Sequence, residues 1–441
     1  MRRRDRNKNL PIITLRFDKF VSGGQVIGHS PEGQAIFAWG VLPGELAEVQ
    51  LTKRKKDYAE GVAVNIIEPS TDRITPREQE YLSTSPWQIL EPELEDEVKL
   101  NLLSQQFQRE GIETEARLGN KTTKFFNYRN KMEYCFWADE MGLRLSLRRR
   151  GTNQKIAVNS SALAQDSLNN FSEHLISALN KVEAEGRQLK SVIIRCSGQG
   201  SIGAALFVKD ENFQVDQLIA ELEKGQTECE WGIEIYFSNP KSPASVATKL
   251  IASRGKGYIE DELGDNKFKY SALSFFQGNI SVYSEALSLM ADYIDAELPI
   301  VDMFSGVGSI GLSLIGKNQS LSLIEIDKFN TDFAKINSAE AGNNAAKVIT
   351  SSSEGALEYI TKDINLILDP PRAGLHKNLS AKICEIKPKK VLYLSCNPAT
   401  QARDVKILLD AGYKITLGPT MFNFFPRTPH IESLVVLESY N

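Results

Sequence analysis

Ile300-Val-Asp-Met-Phe-Ser-Gly-Val-Gly-Ser-Ile-Gly-Leu312 decides the fold. An apolar strand runs into a G-x-G-x-x-G turn at Gly306, Gly308 and Gly311, and an apolar helix opens behind it. Further apolar runs recur at Leu321-Ser-Leu-Ile324, Ile364-Asn-Leu-Ile-Leu368 and Val391-Leu-Tyr-Leu394, with helical patterns between them. Strand and helix in alternation, with near-continuous apolar strands, predict a parallel sheet covered on both faces. Ligands of such sheets sit beyond the carboxyl ends of the strands. Asp302–Gly311, Asp369–Arg372 and Ser395–Pro398 all fall at such ends. Glu432-Ser-Leu-Val-Val-Leu-Glu438 reads as one more strand, at an edge of the sheet.

Glycines in the turn let backbone approach a nucleotide closely where a Cβ would clash. Glu325 closes the next strand, where a carboxylate can accept hydrogen bonds from ribose hydroxyls. Taken alone, this pattern fits NAD and S-adenosylmethionine equally. Asp302 tilts the choice, because an acid there repels a pyrophosphate and suits a cationic, phosphate-free ligand.

Cys396 directly follows a buried strand and is expected to project into the ligand crevice. A thiol so placed can act as a nucleophile if its surroundings favour the thiolate. Asp369-Pro370-Pro371-Arg372 ends the preceding strand, and its prolines hold the carboxylate rigidly. Glu432 follows Pro429-His430-Ile431. A thiol, carboxylates and a methyl donor in one crevice fit one reaction. Carbon 5 of a pyrimidine becomes nucleophilic once a thiolate adds to carbon 6, and a base then removes the carbon 5 proton.

The 441 residues carry a formal net charge of -4, with 41% hydrophobic and 24% charged residues. These values describe a globular chain of several domains and exclude collagen-like, disordered and coiled-coil classes. No apolar run approaches the ~20 residues of a membrane span. Met1–Lys8 is basic but lacks the apolar segment of a secretory signal. Five scattered cysteines without a C-x-x-C pair exclude a disulfide framework, and a reducing cytoplasm is expected. Basic residues concentrate in the N-terminal tail, in Lys53-Arg54-Lys55-Lys56 and between Lys121 and Lys155, including Arg148-Arg149-Arg150. Such clusters are suited to phosphate contact. Residues from about Ile12 to Glu68 read as short strands broken by Gly- and Pro-rich turns, a small all-β barrel. A helix is expected from about Glu93 to Glu110, then mixed strands and helices to Tyr258.

The chain resembles the RNA 5-methyluridine methyltransferases over nearly its whole length. Leu42-Pro43-Gly44-Glu45 and Lys53-Arg-Lys-Lys-Asp-Tyr-Ala-Glu60 resemble the TRAM barrel of that family. Tyr128-Arg-Asn-Lys131, Ser274-Phe-Phe-Gln-Gly-Asn279, Asp302-Met-Phe-Ser-Gly-Val-Gly308, Asp369-Pro-Pro-Arg372 and Ser395-Cys-Asn-Pro398 follow in the family's order. The resemblance implies Cys396 as nucleophile and Glu432 as base. It implies S-adenosylmethionine contacts from Gln277, Phe304, Gly306, Ser309, Glu325, Ser352 and Asp369, although relatives often carry an acidic or amide residue at the Ser352 position. Many relatives bind an iron–sulfur cluster through four cysteines. Here Glu78, Leu82, Ser85 and Ser161 stand in those places, so no metal is expected, and packing around Trp87 would have to order the region.

The expected architecture is α/β overall: an OB-like TRAM barrel (9–70), a central α+β RNA-binding domain (71–262) and a Rossmann-like methyltransferase domain (263–441). The 93–111 helix is allowed to pack on the catalytic unit. The expected partner is RNA, 23S rRNA ahead of tRNA, with no membrane or protein partner and a monomer by default. Phe275, Phe424 and Phe425 could brace a flipped base. Two rivals stand: a cytosine-5 or other nucleic-acid methyltransferase, and a non-catalytic RNA-binding protein or chaperone.

Overall fold

The computed structural model describes residues 10–439 apart from 153, 226–228, 317–318 and 343–345. The basic Met1–Lys8 segment lies outside the described residues. Burial alternates along Leu46–Arg54, as a strand with one face inward requires. Ile12–Phe20, Val26–His29, Ala35–Trp39, Tyr58–Glu68 and Leu46–Arg54 close, in that order, into a barrel. Phe17, Val26, Ile36, Val49 and Leu51 fill it. The Leu42–Glu45 turn has a structural purpose. Buried Glu45 accepts the Leu42 N–H at 2.7 Å and pairs with Arg73 Nε at 2.6 Å, sealing the barrel against the following linker.

A seven-stranded sheet forms the middle of the molecule. Its order is Lys249–Arg254, Trp231–Phe237, Ile202–Val208, Leu189–Cys196, Lys131–Asp139, Gly142–Arg148 and Lys155–Val158. Helices Asp166–Lys181 and Val215–Lys224 pack on it through Leu168, Phe171, Leu175, Leu218 and Leu222.

The glycine-turn region lies in an eight-stranded sheet. Five parallel strands run in the order Ala346–Thr350, Leu321–Glu325, Ile300–Asp302, Asn365–Leu368 and Lys390–Ser395. Glu432–Ser439 follows antiparallel, then Tyr413–Phe422 and the short Arg117–Leu118. Glu432–Ser439 is therefore interior, not the edge strand its sequence was read as. Its unbroken Leu434–Leu437 run is buried on both faces, the mark of a central strand.

Helix Pro92–Arg109 precedes the middle sheet in the chain, yet Leu102, Leu103 and Phe107 join the core beneath the eight-stranded sheet. Proline at its first position fits a site with no intrahelical N–H bond to lose. Among the described residues, no helix is long and apolar enough to cross a membrane.

Candidate functional site

The glycine turn is shaped by two carboxylates. Gly306 and Gly308 have φ of +53° and +89°, and a Cβ at Gly308 would lie 2.9 Å from Leu312 Cδ1. Buried Asp302 accepts N–H bonds from Gly311 at 3.1 Å and Phe304 at 3.4 Å, and burial pushes its carboxyl up to about 7. Asp302 thus braces the turn from beneath, whereas the sequence reading had it facing the ligand. Glu325, half-buried at its strand end, accepts the Gly306 N–H at 3.0 Å.

The other expected contacts gather around this turn. Phe304 is half-buried within it, and Ser309 Oγ lies 2.8 Å from the Tyr283 hydroxyl. Phe275 O sits 3.9 Å from where a Gly306 Cβ would stand, so the Ser274–Asn279 segment passes over the turn. Gln277 in that segment is buried, and its carbonyl accepts Asn130 Nδ2 at 3.1 Å. Ser352 is half-buried just past strand Ala346–Thr350, and the Ser351 N–H donates to Glu325 O at 2.9 Å.

Cys396 sits between strand Lys390–Ser395 and helix Pro398–Asp410, whose Asn397 caps the helix by accepting the Ala399 N–H. It lines a cleft of ≈ 330 Å³ with Ser22 and Gly23 of the barrel, Gln106 of helix Pro92–Arg109, Arg372 and His430. Burial pushes its thiol up to about 11; Glu432 and Asp369 add to this, and Arg372 opposes it. Glu432 is buried, and among the described residues its Oε1 has no hydrogen-bond partner. Burial, then the charge of Asp369, raises Glu432 well above the carboxylate range. Asp369 is pushed up to about 7 by desolvation and by Asp302. Ser395 pairs with Ser433 and Leu368 with Tyr393 on neighbouring strands, so Cys396, Asp369 and Glu432 stand at adjoining strand ends.

Several participants escaped the sequence reading. Arg372 reaches His430 Nδ1 at 3.3 Å, while its carbonyl accepts Asn397 Nδ2 at 2.8 Å, tying the proline loop to the thiol. Arg372 ends the Asp-Pro-Pro run and His430 stands two residues before Glu432; these positions were their only signal. The barrel turn Ser22–Gly24 and Gln106 gave none. Of the three phenylalanines, Phe275 is 60% exposed, Phe424 is core, and Phe425 is half-buried edge-on to His430. The basic runs divide as well. Arg54, Lys55, Lys56, Arg148 and Arg149 are exposed. Arg150 instead stacks on Trp39 at 4.2 Å and donates to Leu82 O, and Lys53 pairs with Glu60 at 2.6 Å.

Glu78, Ser85 and Ser161 form a polar junction. Glu78 accepts Thr84 Oγ1 at 2.7 Å, Gln88 Nε2 at 2.6 Å and the Ala162 N–H at 2.7 Å. Ser85 Oγ also accepts from Gln88, and Ser161 Oγ accepts the Leu163 N–H. Among the described residues, no group of three His, Cys, Asp or Glu side chains is placed to hold a metal ion.

Residues 97–440 match the protein family described as tRNA (Uracil-5-)-methyltransferase. The chain belongs to that family. It is an S-adenosylmethionine-dependent RNA uracil-C5 methyltransferase. This methyltransferase is 30% identical over 433 residues to an uncharacterized RNA methyltransferase of Bacillus cereus, covering 92% of each chain. It is 25% identical over 439 residues to another of Thermotoga maritima, covering 96% of this chain and 98% of the relative. Its fold is shared with the Pyrococcus abyssi tRNA (uracil-54, C5)-methyltransferase, with TM-score 0.74 at 22% identity, covering 96% and 100% of the two chains. The methyltransferase accordingly combines a TRAM-like barrel with a Rossmann-like catalytic sheet.

Proposed function

We propose that this methyltransferase bonds Cys396 Sγ temporarily to carbon 6 of its target uracil, and that Glu432 removes the carbon 5 proton. One observation carries the reading: Cys396 opens onto the cleft at a strand end, with two carboxyl groups, Asp369 and Glu432, close behind it. As the Sγ–C6 bond forms, the thiol proton leaves to solvent and the ring electrons move to the carbon 4 oxygen. Carbon 5 then takes the methyl group. Glu432 accepts the carbon 5 proton, the Sγ–C6 bond breaks, and the thiolate returns. An unpartnered Glu432 Oε1 is free to receive that proton, and burial makes the ionised carboxylate a strong base. Arg372 favours the thiolate.

Bound S-adenosylmethionine supplies an electrophilic methyl group on a sulfonium. The residues of the turn fit it better than a dinucleotide. The Gly306 and Gly311 N–H groups, which would cradle a pyrophosphate, are already held by Glu325 and Asp302. Glu325 would take the ribose, with Gln277, Phe304, Gly306, Ser309 and Asp369 around the donor and Ser352 at its margin.

The substrate uridine must leave its stack to meet Cys396. Exposed Lys55, Lys56, Arg148 and Arg149 supply phosphate contacts that position RNA without reading its sequence. The TRAM-like barrel favours a uridine of 23S rRNA. A tRNA uridine is the second reading, since the Pyrococcus abyssi protein of the same fold is a tRNA (uracil-54, C5)-methyltransferase. Mapping 5-methyluridine in both RNAs after gene deletion decides between them.

RNA carrying 5-fluorouridine tests the chemistry, because fluorine cannot leave as a proton. Wild type with S-adenosylmethionine is expected to accumulate a covalent adduct, and Cys396→Ala none. An adduct surviving in Cys396→Ala would reject the assignment and favour another nucleophile. Glu432→Gln is expected to methylate at least a hundredfold more slowly while retaining bound RNA. Rapid turnover by that variant removes Glu432 from its role.

A further inference from the structure

Glu95, Lys99 and Arg427 are ionisable side chains with no exposed surface, and none of them lines the Cys396 cleft. They meet where helix Pro92–Arg109 crosses residues 423–431. Glu95 Oε1 lies 2.9 Å from Lys99 Nζ, and Glu95 Oε2 lies 3.3 Å from Arg427 Nη1. Lys99 Nζ also donates to Asn423 Oδ1 at 2.6 Å and to Phe425 O at 3.1 Å. Arg427 Nη2 donates to Trp87 O at 2.7 Å and to Leu90 O. An apolar seam of the same volume would hold the helix at least as firmly, because buried ions must be stripped of water.

What the ions add is a fixed backbone path. Arg427 has φ +63°, a left-handed conformation that a non-glycine residue rarely adopts. Its own N–H donates to both Glu95 oxygens at 2.9 Å, so the carboxylate grips the backbone as well as the guanidinium. The chain then runs through Thr428, Pro429 and His430 to Glu432. Pro429 abuts the barrel at Gly24, His430 lines the cleft, and Glu432 is buried beside the thiol.

We propose that Glu95, Lys99 and Arg427 are positioning residues that set the path of Thr428–Glu432 and so aim Glu432 at the carbon 5 proton. The proposal rests on the reading of Glu432 as the base. A cluster that aims the base should govern proton removal more than it governs binding.

The test compares wild type with Glu95→Gln, which keeps the side-chain size and removes the charge. RNA bearing 5-deuterated uridine reports the proton step through its kinetic isotope effect on methylation. Glu95→Gln is expected to lower kcat at least tenfold and to raise the isotope effect. Dissociation constants for RNA and S-adenosylmethionine should stay within threefold, with an unchanged circular dichroism spectrum. Should Glu95→Gln fail to fold, Arg427→Gly poses the same question, since glycine accepts the φ while the side-chain grip is lost. A folded variant with wild-type kcat and isotope effect overturns the proposal. So does a loss of kcat matched by equal losses in both binding constants, which would mark a purely structural cluster. Glu432→Gln is run alongside. If its turnover matches wild type, the reading of Glu432 as the base fails; if its turnover is slow and Glu95→Gln leaves the isotope effect unmoved, the positioning proposal alone fails.

Discussion

At Cys396 the neighbours work against the chemistry asked of the thiol. Burial and two carboxyl groups hold its proton up to about 11, and Arg372 alone among the named charges pulls the other way. With the pKa so raised, the thiolate is about one part in 10⁴ at pH 7 and grows tenfold per unit. Glu432, also raised by burial, passes into its ionised, proton-accepting form as pH rises. Single-turnover adduct formation at saturating RNA should therefore climb steadily from pH 7 toward pH 10. A rate flat across that range would show that the thiol of the RNA complex is already ionised at pH 7, against the raised value. Much at this scale was legible: a strand end followed by Ser-Cys-Asn-Pro, or by Asp-Pro-Pro-Arg, announces a crevice residue. Asp302 was legible only as an acid, because sequence does not say which way a carboxylate turns. Glu95 and Lys99 were illegible, since charged residues on a helix read as its wet face.

The elements meet at a few tight contacts. Gly24 has φ +89°, and a Cβ there would fall 2.0 Å from Pro429 Cβ. Its carbonyl accepts Trp87 Nε1 at 3.0 Å, and Trp87 packs on Phe20 at 5.1 Å. The barrel turn is thus seated against the segment that carries His430. Gly24→Ala is expected to unseat it, lowering kcat/KM on RNA by roughly tenfold, about 1.4 kcal/mol, with S-adenosylmethionine affinity unchanged. Titration calorimetry and steady-state rates check the split; an unaltered kcat/KM would show that the turn moves freely. The barrel itself was readable from its punctuated short strands. Its strand order, with Tyr58–Glu68 inserted beside Ala35–Trp39, was not, because pairing partners leave no local pattern. Glu432–Ser439 was misplaced at an edge although Leu434-Val-Val-Leu437 carried the contrary signal.

Across the whole molecule, a polar hub at Glu78 fastens the middle region to its surroundings. Glu78 joins residues 84–88 to Ala162 through three hydrogen bonds. Glu78→Ala should cost about 2–3 kcal/mol and lower the unfolding midpoint by a few degrees. Incubating the wild type with a strong chelator should not move that midpoint; a drop would reveal a bound ion. Lys99 and Asn423, bonded where helix Pro92–Arg109 crosses residues 423–431, are 324 residues apart in sequence. At ~5–20 residues added per second during synthesis, the Pro92–Arg109 helix waits roughly half a minute for its far partner to emerge from the ribosome. An apolar seam would be adhesive for that interval. Glu95 and Lys99 interrupt the apolar Leu102, Leu103 and Phe107 side of that helix with hydrated charge until the closing strands arrive, and only then do they lose their water.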